Sequence, residues 1–98
     1  MKAVRHRPSL ERIVEAVLAE FGADRAAWST GRRVENVSRA AAAWLARRRF
    51  GYRTREIADA LGYRSHGGVA AGIQRVERSG QSVLIRLRRV ERELAAND

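Results

Sequence analysis

The reactive side chains of this sequence are nearly all guanidinium groups. Nineteen of its 20 basic residues are arginines, Lys2 being the exception, and they face 11 acidic residues for a formal net charge of +9. A guanidinium keeps its charge at any ordinary pH and is no acid or base catalyst. Its planar fork of donors pairs bidentately with phosphate and with guanine. An excess of such groups points to a polyanionic partner, although genome composition and plain solvation also account for some of them. The densest group is Arg47, Arg48, Arg49, Arg53 and Arg55, five arginines within nine residues around Gly51. The first three suit the negative pole of a helix C-terminus. Five together exceed what capping requires, and they read as a phosphate-contacting loop.

Other chemistries lack their residues. There is no cysteine, hence no disulfide framework and no thiolate metal site. The two histidines, His6 and His66, are far apart in sequence, and His6 reads as a solvated residue between Arg5 and Arg7. No paired carboxylates stand at a recognisable spacing, and no GxxxxGK loop is present to cradle a nucleotide. The expectation is a protein without catalysis, cofactor, metal or small-molecule substrate. The 98 residues suffice for one small domain with one core. No apolar run approaches the roughly 20 residues of a membrane span. MKAVRHRPS lacks the apolar core of a secretory signal, so a cytoplasmic location and no membrane partner are the default.

The elements that must position these groups are helical. Residues 1–8 read as a flexible basic tail, and residues 9–96 as a single helical domain. Ser9 can cap a first helix whose Leu10, Ile13, Val14, Val17, Leu18 and Phe21 follow the i, i+3, i+4, i+7 pattern until Gly22. Asp24 can cap a short turn through Trp28, which reads as a core plug. A third helix is expected from Asn36 or Ser38 to about Phe50, with Val37, Ala40, Ala41, Trp44 and Leu45 inward. From Arg53 to Ser79 the pattern is that of a helix-turn-helix. Ile57, Ala58 and Leu61 form one face, with Thr54 as the expected cap. Gly62 turns the chain, and Ser65 caps a helix whose Val69, Ile73 and Val76 point inward. The polar start of such a second helix is what enters a DNA major groove. Any helical hairpin in a bundle would show the same glycine and stripes. Gly67 and Gly68, in its first turn, allow either close approach to DNA or tight packing on the preceding helix. A last helix from about Ser82 to Ala95 buries Val83, Leu87, Val90 and Leu94. It turns Arg86, Arg88, Arg89 and Arg92 outward as a solvated face. The expected fold is therefore all-α, a compact bundle of about six helices.

This order of elements resembles the C-terminal DNA-binding domain of the bacterial replication initiator DnaA, within the Trp-repressor-like group. The likeness runs from about Leu10 to Arg78. EIADALGYRSHGGV is similar to that family's EIGxxFGGRDHSTV, with Glu56, Ile57, Gly62, Arg64, His66 and Val69 at matching positions. A similar module ends REP-associated transposases. The resemblance implies sequence-selective binding of double-stranded DNA, without ATPase activity. It places base contacts at Arg64, Ser65, His66, Gly67 and Gly68. It places minor-groove contacts at Arg32 and Arg33. Arg39, Arg47, Arg48, Arg49, Arg53, Thr54 and Arg55 are expected at phosphates. Ser65 stands where the family has Asp, Gly67 and Gly68 where it has hydroxyl residues, and Tyr63 where it has Gly. The expected site preference therefore differs from the initiator box. The alternatives are the DNA-binding module of a transposase, a transcriptional regulator, a structured-RNA binder and a module for an acidic protein. A monomer is the default.

Overall fold

The computed structural model describes residues 7–30 and 33–96, with the backbone alone for residues 27, 29, 30 and 33–36. Five α-helices are described: α1 (Leu10–Phe21), α2 (Arg33–Trp44), α3 (Thr54–Leu61), α4 (His66–Arg78) and α5 (Gln81–Ala96). A 3₁₀ helix, Arg25–Thr30, precedes α2, and a π-type turn, Leu45–Arg49, continues it. No strand occurs among the described residues, so the all-α expectation is met. None of these helices is long and apolar enough to cross a membrane.

The first helix forms as its residues dictate. Ser9 Oγ accepts from Arg12 N at 3.1 Å, and Gly22 closes the helix at φ +62°. Ala23 N returns to Leu18 O at 3.0 Å, satisfying a carbonyl that the helix leaves open. Ile13, Val14 and Val17 are fully buried.

α2 is the axis of the molecule. Ala40, Ala41, Ala42 and Ala43 are all buried, so this stretch is covered on every side by α1, α4 and their neighbours. Alanine makes that possible, because a side chain of one methyl lets helix backbones come close. Ser38, one of the two expected starts of this helix, lies within it. It is fully buried, and its Oγ accepts from Trp28 Nε1 at 2.8 Å, which fixes Trp28 as the expected core plug. With Ser38 inside, the helix begins earlier, at Arg33.

Arg7 and Pro8, at the end of the expected tail, are fastened to the basic loop. The Arg7 guanidinium lies 3.7 Å from the Tyr52 ring centroid and donates to Phe50 O, while Tyr52 Oη donates to Pro8 O at 2.7 Å. Residues 1–6 lie outside the described residues. α5 docks on the end of α1 through Arg86, which stacks on Phe21 and donates to Glu20 through both its carbonyl and its carboxylate.

Candidate nucleic-acid interface

The turn between α3 and α4 is built by residues from distant elements. Gly62 ends α3 at φ +78°, and both Gly62 N and Tyr63 N return to Ala58 O at 3.0 Å. The last carbonyls of α3 would otherwise be open. Arg25 donates to Ala60 O, and Arg39 donates to Leu61 O at 3.1 Å and to Gly62 O. The Arg39 guanidinium also lies 4.1 Å from the Tyr63 ring centroid. Two cations thus hold the negative pole of α3. Arg25 is itself held by Glu11 at 2.8 Å.

Arg39 is among the residues expected at phosphates. Its guanidinium donates to the carbonyls of Leu61 and Gly62. It is a positioning residue for the turn. Arg25, Arg39 and Arg64 border an open concavity of about 790 Å³ with Trp28 and Tyr63. Arg25 and Arg39 turn their donors to protein carbonyls there.

The half-buried Tyr63 fills the space beside α4. A Cβ on Gly68 would meet Tyr63 Cδ1 at 3.1 Å. A Cβ on Gly72 would meet Tyr63 Oη at 3.0 Å and Ala40 Cβ at 3.4 Å. Gly68, expected among the base contacts, is partly exposed, and its Cβ direction points at the Tyr63 ring. A threonine there, as in the resembled family, would run into the ring. Burial raises the Tyr63 phenol above its ordinary range, with Arg39 and then Arg75 pulling it partly back.

The other residues expected at bases lie outward. Ser65 Oγ accepts from Gly68 N at 3.3 Å and caps α4, so its lone pairs are partly used while its hydroxyl proton remains available. His66 opens the helix exposed, Gly67 is exposed, and Arg64 is exposed in the turn. Arg32 lies outside the described residues, and Arg33 is described by its backbone only, so the minor-groove pair has no described geometry.

The loop arginines divide into paired and free. Arg47 donates to Tyr52 O at 3.0 Å, which with Tyr52 N to Ala46 O closes the π-type turn. Arg48 pairs with Glu77 at 3.0 Å, and Arg49 with Glu91 at 2.9 Å. Both guanidiniums are about half exposed, and exposed pairs are worth only about 0–1 kcal/mol, so a phosphate can displace either carboxylate. Arg53 and Arg55 are exposed and make no hydrogen bond or ion pair through their guanidiniums among the described residues. Thr54 is the first residue of α3 and not its cap. Arg53 holds the cap position, and its backbone N donates to Glu56 Oε1 at 2.9 Å.

Residues missed in the sequence lie further along α4. Gln74, Arg75 and Arg78 are exposed and have no hydrogen-bond or ion-pair partner among the described residues. Taking the complement of the inward stripe Val69, Ile73 and Val76 would have found them. Among the described residues, no group of three or more His, Cys, Asp or Glu side chains could hold a metal ion. The chain matches no model of a known protein family, no curated protein and no solved structure.

Proposed function

We propose that this chain binds double-stranded DNA selectively, as a helix-turn-helix formed by α3, the turn at Gly62–Ser65 and α4, and performs no catalysis. The observation that carries the reading is α4 itself. Its buried face is Val69, Gly72, Ile73 and Val76, and on its outer face, which runs from His66 to Arg78, Gln74, Arg75 and Arg78 have no hydrogen-bond or ion-pair partner among the described residues, whereas Glu77 is held by Arg48 and Trp44. In the segment before it, the guanidiniums of Arg53, Arg55 and Arg64 are exposed and have no hydrogen-bond or ion-pair partner among the described residues. The positive pole of α4 and its exposed first turn suit the phosphate-lined entrance of a major groove. Arg53 and Arg55 hold phosphates, joined by Arg47, Arg48 and Arg49 once their carboxylate or carbonyl partners give way. His66, Ser65 and Arg64 meet base edges. Docking follows the mode of the replication-initiator domain that the sequence resembles. The preference differs, because Ser65 and Gly68 supply neither an acidic acceptor nor a hydroxyl aimed at the groove.

The experiment is a filter-binding titration of random duplex DNA against salt. With about five to eight phosphate contacts, the slope of log K against log salt is about −4 to −7. A slope near zero removes the nucleic-acid reading. Duplex RNA as competitor separates DNA from RNA, since the deep A-form major groove does not admit a helix.

A further inference from the structure

At 3.6 residues per turn, Gln74 lies at the middle of the exposed arc of α4, opposite the buried Val69, Gly72, Ile73 and Val76. Its helical neighbours are Ala70 and Ala71 on one side and Glu77 and Arg78 on the other, at spacings of four, three, three and four, with Glu77 paired to Arg48. Gln74, Arg75, Arg78, Ala71 and Ser79 line an open concavity of about 480 Å³. The carboxamide of Gln74 and the guanidiniums of Arg75 and Arg78 make no hydrogen bond or ion pair among the described residues. One uncharged side chain with both a donor and an acceptor thus stands among two methyl groups, the guanidiniums of Arg75 and Arg78 and the carboxylate of Glu77, which Arg48 neutralises.

Each part has a chemical counterpart in a major groove. A carboxamide matches the N6 donor and N7 acceptor of adenine, and an alanine methyl matches the 5-methyl of thymine. Gln74 adds no charge, so phosphate attraction does not explain it, whereas Arg75 and Arg78 suit the backbone on either side. We propose that Gln74 reads an A·T pair, with Ala70 or Ala71 against a thymine methyl. This makes the second half of α4 a specificity element separate from His66. The inference rests on the duplex-DNA reading above. Gln74 lies eight residues beyond His66, which is about 12 Å along the helix at ~1.5 Å per residue. At ~3.4 Å per base step, the pair it reads lies about two to four steps from the one set by His66.

The test is selection of bound sequences from random duplexes by the full chain, by Gln74→Ala and by His66→Ala, followed by titration of the selected duplexes. The expected result is that Gln74→Ala loses an A·T preference at one or two adjacent positions, by about five- to hundredfold. Those positions lie two to four steps from the position altered in His66→Ala, and affinity for random duplex is unchanged. Replacing the selected adenine by 7-deazaadenine, which lacks the N7 acceptor, weakens the unsubstituted protein and leaves Gln74→Ala unaffected. Gln74 is exposed, so the variant keeps its helical circular dichroism. An unchanged selection profile overturns the assignment of Gln74 while leaving DNA binding intact. A uniform loss on selected and random duplex makes Gln74 a backbone contact and also overturns it. If the unsubstituted chain binds no duplex, the underlying reading fails and the inference with it.

Discussion

Replacing Gly72 by alanine tests whether the Tyr63 ring sets the closeness of α2 and α4. Two opposing terms act at this position. An alanine in a helix interior is favoured over glycine by about 1 kcal/mol. Against that, the new methyl would stand 3.0 Å from Tyr63 Oη, with Ala40 Cβ at 3.4 Å and Ala40 Cα at 3.5 Å behind it. The Ala40 distances are ordinary contacts, so α2 need not move. The tyrosine must, and its ring is already confined by Gly68 on one side and the Arg39 guanidinium on the other. Overpacking of this kind costs about 1–3 kcal/mol. In the native background Gly72→Ala therefore lowers stability by up to about 2 kcal/mol, from the difference of the two terms. In a Tyr63→Ala background the obstruction is gone, and the same substitution raises stability by up to about 1 kcal/mol. The assay is urea unfolding followed by circular dichroism for the four members of the cycle. The coupling energy should be about 1–3 kcal/mol, well above the ~0.3 kcal/mol scatter of independent sites. Equal effects of Gly72→Ala in both backgrounds would refute the role given to the ring.

Arg39→Ala should lower stability by about 1–3 kcal/mol in urea unfolding, because it removes two charge-assisted bonds to the end of α3, partly screened by solvent. A loss below ~0.5 kcal/mol would mean that the Leu61 and Gly62 carbonyls are satisfied without it. The Tyr63 phenol, raised by burial, is protonated in both states below its unfolded value of 10.0. Above that pH the unfolded chain ionises first, so stability falls as pH rises through the alkaline range. Tyr63→Phe should remove that part of the decline while matching the native protein near neutral pH, and an identical alkaline profile would exclude the effect. In DNA binding, Arg53→Ala with Arg55→Ala should weaken selected and random duplexes alike. His66→Ala should instead narrow the gap between them by about 1–3 kcal/mol. The reverse pattern would exchange the roles of loop and helix.

The sequence by itself determined the helices and their inward faces. Apolar spacing, Ser9 and Ser65 as caps, and Gly22 and Gly62 as terminators act within a few residues, so their outcome is local and readable. It also determined the excess of positive charge. It did not determine what each arginine does. Arg7, Arg25, Arg39, Arg47 and Arg86 donate to backbone carbonyls, and Arg48 and Arg49 meet Glu77 and Glu91, whereas Arg53, Arg55, Arg64, Arg75 and Arg78 have no hydrogen-bond or ion-pair partner among the described residues. All carry the same guanidinium. Most of the carbonyls and carboxylates that distinguish them come from 22 to 66 residues away, and only the tertiary structure brings them within reach. Gly68 and Gly72 tell the same story. A helical glycine does not say which neighbour comes close, and only the tertiary structure puts the Tyr63 ring, stacked by Arg39 from another helix, beside both.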